Sequence, residues 1–456
     1  MKSTPARRTP PRASLALASA VFVAVGVGPT SAARAPLPVP AGAVATAADP
    51  GALPGPSQDS VQAPLAATLV AVAPSSGAVA ALARMSLPQR VGQLFMVGTP
   101  ATLLSVDVVH AVQVDHVGNV MLTGRSTGGV AATAKVSARL QKLVSVRTTA
   151  GVPLFVGTDQ EGGLVQVLRG PGFSNIPAAL TQGSWSAASV RSYAKKWGLQ
   201  LAAAGVNVDL APVLDTVPGP AAVNPPIGRF KREYGFTPAL VSSRGGAFAA
   251  GLSLAGVDPA IKHFPGLGRV TVNTDVSAGV TDHVTVRHDP YLAPFAAAVR
   301  AGAPFVMMST AIYAKIDAAR PAAFSPAVIG TILRGDLNFR GVVISDDLGN
   351  ARQVAAWTPG ARAVAFLRAG GDMVLTVNGA LLQPMYAAVL ARAKADPAFR
   401  AQVDASALRV LVAKQDRGLI PPAHAVGQPP IPASAGQQQL PDVPARLEQP
   451  MGVPGS

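Results

Sequence analysis

Cysteine is absent from the chain. That excludes disulfides, thiolate metal ligands and a lipid-modified N-terminal cysteine, so stability has to come from core packing. Aromatic residues make up only 5% of the sequence, and no run of five Lys or Arg occurs despite a formal net charge of +15. Nucleic acid would find neither stacking platforms nor a basic stripe, so no nucleic-acid partner is expected. The six histidines show no HxH or HExxH spacing, so no metal and no cofactor are expected. A G-x-S-x-G elbow is also missing, which argues against a serine nucleophile.

The first 35 residues carry Lys2, Arg7, Arg8, Arg12 and Arg34 and no acid. An apolar run, "ASLALASAVFVAVGVG" (13–28), leads into the small residues "PTSAARA". This is the three-part layout of a secretory signal peptide, with cleavage expected after Ala32 or Ala35. At about 16 residues the run is short of the roughly 20 that span a bilayer, and no second one follows, so no stable membrane span is expected. A secreted or cell-wall-associated monomer is predicted, and its positive charge suits an anionic envelope. Residues 36–80 read as a Pro/Ala-rich linker and 421–456 as a disordered tail. Dense hydrophobic patterning is confined to 81–420, predicted to be one domain.

Within that block short apolar runs alternate with amphipathic stretches, which is the pattern of repeated βα units. The runs are "QLFMVG" (93–98), "VGNVML" (117–122), "PLFVGTD" (153–159), "VNVDLAP" (206–212), "GVDPAIKHF" (256–264), "PFVMMST" (304–310), "GVVISDD" (341–347) and "DMVLTV" (372–377). Eight strands with helices between them predict an α/β fold of the (β/α)8 TIM-type barrel class. An open Rossmann-type sheet would want a Gly-rich turn after its first strand, and "VGTPATLL" offers none.

Reacting groups of such barrels sit at the C-terminal strand ends. Those ends carry Asp159, Gln160 and Glu161, then Asp215, Lys262 with His263, Ser309 with Thr310, and Asp346 with Asp347. Asp215 and Asp347 can equally serve as helix caps or partners of a nearby arginine. His263 can equally be a satisfied interior histidine, although Pro265, Gly266 and Gly268 after it imply a shaped loop at the mouth. Paired carboxyl groups in a polar cleft without metal ligands point to glycoside hydrolysis.

The motifs "TDQEGGLVQ" (158–166), "LAPVLDT" (210–216), "KHFPGLG" (262–268), "GVVISDDLG" (341–349) and "AGGDMVL" (369–375) stand in order along the chain. Together they resemble the single-domain β-N-acetylglucosaminidase branch of glycoside hydrolase family 3. The resemblance implies that Asp346 is the catalytic nucleophile of a retaining mechanism with a covalent glycosyl intermediate. It implies that Asp159, Arg232, Lys262 and His263 bind the sugar.

Three positions depart from the family pattern. Where the family carries an Asp-Ser/Thr-His triplet after "KHFPG", with His as general acid/base, this chain has Asn273, Thr274 and Asp275. Val167 replaces the arginine that follows "DQEGG", with Arg169 two residues on as a substitute. Asp275 is therefore expected to act as the acid/base, since a carboxyl group is the ordinary proton donor of glycosidases. Asp282, His283 or His288 are alternative donors. The expected activity is that of an exo-acting β-N-acetylhexosaminidase on peptidoglycan-derived or other β-linked amino sugars. The alternatives are a β-glucosidase or β-xylosidase of the same family, and an envelope protein that binds glycans with little turnover.

Overall fold

The computed structural model describes residues 76–219 and 223–422. Each of the eight apolar runs overlaps one strand of a closed parallel barrel. Numbered in chain order, the barrel strands are β1 (Phe95–Pro100), β2 (Asn119–Thr123), β3 (Phe155–Thr158), β4 (Val208–Asp209), β5 (Asp258–Phe264), β6 (Phe305–Met308), β7 (Val342–Asp347) and β8 (Met373–Thr376). Every neighbour pair runs parallel, and closure comes from β1 against β8, with Phe95 opposite Val374. Their residues are buried on both faces, as parallel strands under a helical layer must be.

The helices start where polar caps stand before apolar patterning. Ser86 and Gln89 form a reciprocal capping box. Thr237, followed by Pro238, opens Pro238–Leu254, and Thr358, followed by Pro359, opens Pro359–Arg368. Helices end on glycines in the left-handed region, such as Gly205 (φ 75°) and Gly256 (φ 79°). The stretch Ala327–Asp336 is wound as a π-helix.

Side chains of Met96, Met121, Phe155, Val208, Ala260, Phe305, Met307, Ile344 and Leu375 fill the barrel interior. Phe155 and Phe305 meet edge to face, with centroids 5.4 Å apart, a contact worth ~1 kcal/mol beyond its buried area. The N-terminal end of the barrel is closed by Lys414 on helix Pro397–Asp416. Its Nζ donates to Gln93 Oε1 (2.9 Å) and to the Gly118 carbonyl (2.8 Å). Burial pushes the Lys414 ammonium well below its ordinary range.

One predicted boundary moves. The linker expected over 36–80 gives way to helix Ser76–Arg84, because Ala78, Ala81 and Met85 bury against Leu411 and Ile420. Its Ala-rich composition matches the preceding stretch and masks this packing. The predicted signal peptide (1–35), the rest of the linker and all but the first two residues of the tail lie outside the described residues.

Candidate active site

Polar side chains from β3, β4, β5 and β7 gather at the C-terminal mouth of the barrel. Glu161, just past β3, is the hub. Arg232 grips it through two bonds, Nε to Oε2 at 2.8 Å and Nη2 to Oε1 at 2.7 Å. Lys262 Nζ lies 2.7 Å from both Glu161 Oε1 and Asp159 Oδ1. Burial by itself would raise the Glu161 carboxyl, but the charges of Arg232 and Lys262 outweigh it and hold the group at about 2. Burial likewise opposes the charge on Lys262, yet Asp159 and Glu161 raise its pKa overall. Glu161, Arg232 and Lys262 are therefore ionised at neutral pH, and Asp159, whose Oδ1 meets Lys262, is a quarter exposed.

His263 follows Lys262 on β5, and its ring Nδ1 sits 2.7 Å from Asp215 Oδ2. The other Asp215 oxygen accepts from the backbone N–H groups of His263 (3.1 Å) and Leu267 (2.8 Å). Asp215 thus neither caps a helix nor pairs with an arginine. It staples the KHFPGLG loop and fixes the imidazole so that Nε2 faces Arg232 Nη2 at 3.4 Å. Asn224 ties the Arg232 loop to the same region by donating to the carbonyls of Leu267 and Val270. Arg269 closes the far side, 2.7 Å from Asp289 and 3.7 Å above the Tyr291 ring.

Asp346 is the next-to-last residue of β7, half-buried, with Oδ1 accepting from the Asp347 N–H at 2.9 Å. Burial raises its pKa, the Asp275 charge raises it further, and the His263 charge works the other way. Asp347 has a different part: its oxygens accept from the N–H groups of Gly349 and Val377 and from Asn350 Nδ2. It shapes the turn after β7.

Asp275 is exposed. The Asn273 side chain makes a local turn by accepting the Asp275 N–H at 2.9 Å, which gives the amide at this position a structural purpose. Of the alternative donors, Asp282 is buried and spent on Val284 N, Thr285 N and Thr285 Oγ1. His283 and His288 are exposed. Arg169 does not reach outward: it holds its own loop by donating to the Gly163 carbonyl (2.7 Å) and to Asn175 Oδ1 (3.3 Å). Ser309 Oγ accepts the Ala311 N–H, and Thr310 is buried, so neither is placed as a nucleophile.

Three residues gain importance only in three dimensions. Glu161 was legible as a strand-end acid but not as the hub of an ion cluster. Asp209, at the end of β4, is fully buried beneath it, with Oδ1 accepting the Gln160 N–H at 3.0 Å. Burial raises the Asp209 carboxyl to about 8. Gln353, in the loop after β7, bonds the segment that carries Asp275. Among the described residues no cluster of His, Asp or Glu could hold a metal ion, and no helix is long and apolar enough to cross a membrane.

A closed barrel with carboxylates, a lysine, a histidine and an arginine converging on its C-terminal mouth defines a barrel glycosidase. The Glycosyl hydrolase family 3 N terminal domain matches residues 86–413. A beta-hexosaminidase of Xanthomonas oryzae pv. oryzae is 33% identical over 315 residues, spanning 66% of this chain and 88% of the relative. Among solved structures, a beta-N-acetylhexosaminidase from Beutenbergia cavernae shares 53% identity with a TM-score of 0.72, covering 73% of this chain and 99% of that one. A family 3 beta-N-acetylglucosaminidase from Paenibacillus sp. shares 31% with a TM-score of 0.68, covering 76% and 66%. The chain belongs to glycoside hydrolase family 3 and is an enzyme that hydrolyses O-glycosyl bonds.

Proposed function

We propose that this glycosidase is an exo-acting, retaining β-N-acetylhexosaminidase in which Asp346 is the nucleophile and Asp275 the acid/base. The observation that carries the reading is that a half-buried Asp346 stands at the barrel mouth with the Asp275 segment hydrogen-bonded to the loop that follows it, the Arg352 N–H donating to the Asp275 carbonyl at 3.1 Å. Two carboxyl groups brought to one mouth are the equipment of double displacement. The hexosaminidase names of the relatives from Xanthomonas and Beutenbergia support the amino-sugar class.

In the first step Asp346 attacks the anomeric carbon while Asp275 gives its proton to the leaving oxygen, so the glycosidic C–O bond breaks as the Asp346 ester forms. In the second step Asp275 takes a proton from water, whose oxygen displaces Asp346 and returns the original anomeric configuration. Asp159, Lys262, Arg232 and the His263 Nε2 edge hold the sugar hydroxyls. Because Glu161 and Asp215 already hold these groups, little reorganisation is needed on binding.

Peptidoglycan fragments are the substrate we favour, with a secreted or wall-associated location supported by the layout of residues 1–35 and the positive net charge. Val167 and the internal engagement of Arg169 leave the acetamido pocket without the family's arginine, so a β-glucoside or β-xyloside preference is the competing outcome. A panel of activated aryl glycosides assayed on wild type and Asp346→Ala tests the proposal. The β-N-acetylglucosaminide should be cleaved fastest, and Asp346→Ala should lose at least ~10³-fold. Equal, residual rates for both proteins, or faster cleavage of the glucoside, would overturn it.

A further inference from the structure

The loop carrying Asp275 is fastened at both ends to a single residue on the nucleophile's side of the mouth. Gln353 stands in the segment that leaves β7 after Asp346, and the residue is 4% exposed. Its Oε1 accepts from the Val280 N–H at 2.8 Å, and its Nε2 donates to the Val280 carbonyl at 3.1 Å. A primary amide here reproduces the two-bond pairing of a neighbouring strand. At the other end of the same excursion, the Gln353 backbone N–H donates to the Thr274 carbonyl at 3.0 Å, and the Arg352 N–H to the Asp275 carbonyl at 3.1 Å. Thr274 and Val280 are buried, whereas Asp275, Val276, Ala278 and Gly279 between them are exposed.

We infer that Gln353 is a positioning residue that sets the proton donor at working distance from the nucleophile. The inference rests on the reading of Asp275 as acid/base. Retaining chemistry needs the two carboxyl groups ~5–5.5 Å apart, and an exposed loop without a clamp would sample many separations. Asn273 orients Asp275 within the loop, and Gln353 and its neighbour Arg352 hydrogen-bond that loop to the segment following Asp346. Gln353 has both of its amide atoms engaged by Val280. Its loss should weaken proton donation while leaving nucleophilic attack intact.

The test is a series of aryl β-N-acetylglucosaminides of rising leaving-group pKa, together with the β-linked N-acetylglucosamine disaccharide. They are assayed on wild type, Gln353→Ala, Asp275→Ala and the double variant. Gln353→Ala should lose ~10-fold or more on the disaccharide and less than ~3-fold on the best leaving group, because a displaced catalytic group costs most where protonation is needed. In the Asp275→Ala background it should add less than ~2-fold, since both changes remove one interaction. If Gln353→Ala does not fold, Gln353→Met keeps the side-chain length, removes both bonds to Val280, and should show the same steeper dependence.

A uniform loss across the series, or full additivity with Asp275→Ala, overturns the inference and leaves the acid/base assignment standing. Absence of leaving-group dependence in Asp275→Ala itself overturns that assignment, and the positioning claim with it.

Discussion

Arg232 and Glu161 are joined by two hydrogen bonds of 2.8 and 2.7 Å, although 71 positions separate them in the chain. The pair is fork to fork, and Glu161 is shared with Lys262 at 2.7 Å, so one buried carboxylate balances two cations. Glu161→Gln should leave Arg232 without its carboxylate partner and Lys262 with Asp159 alone, at a cost of ~3 kcal/mol. The folded pKa of Glu161 is about 2, below its unfolded value near 4.5. Its contribution is therefore fully present above pH ~4.5 and is lost as pH falls through about 2. The stability deficit of Glu161→Gln, measured by denaturant titration, should be flat between pH 5 and 8. A deficit that grew steadily across that window would contradict the ion-pair account.

Asp209 behaves in the opposite sense. Its folded pKa is raised to about 8, so the folded state keeps a proton that the unfolded chain releases near pH 4. The cost to stability builds up from pH ~4 to ~8 and then levels off, at no more than ~1.4 kcal/mol per pH unit. Asp209→Asn mimics the protonated group and keeps an oxygen for the Gln160 N–H. Its melting temperature should rise relative to wild type as pH is raised from 5 to 8. A constant difference would show that Asp209 is ionised in the fold.

The acid limb of activity should belong to Asp346, which must be ionised to attack. Burial is the largest influence on its pKa and raises it, so the limb should lie above the ordinary aspartate value of 3.8. Asp275, holding its proton as the acid, is neutral while Asp346 titrates, so Asp275→Asn should leave this limb in place. The kcat/KM profile of Asp275→Asn on an activated aryl glycoside, where little protonation is required, checks it. A limb displaced to lower pH would mean that Asp275 is ionised while Asp346 titrates and would contradict its role as proton donor.

Much of this was legible in the sequence, for identifiable reasons. A strand buried on both faces leaves a short apolar run, so "GVVISDD" and "DMVLTV" marked β7 and β8 directly, and the barrel followed from their number. The mouth residues were legible because polar groups ending such runs have few structural excuses. What escaped was pairing across long separations. Nothing near Asp215 in the chain says that its carboxylate will hold the backbone of Leu267 and the ring of His263. Nothing in the chain around Gln353 marks it as the partner of Val280, 73 positions away. Helix Ser76–Arg84 escaped because its alanines differ from those of the linker only in having Leu411 to pack on.

The central claim is that Asp346 becomes covalently attached to the sugar. A ring-fluorinated N-acetylglucosaminide with a good leaving group slows the second step and lets the ester accumulate, and mass spectrometry of the digested protein locates it. The account predicts one added sugar on the peptide that contains "ISDDLG", assigned to Asp346 and absent from Asp346→Ala. A wild-type protein that turns over the unfluorinated glycoside yet forms no adduct, or carries it on a residue other than Asp346, would contradict it.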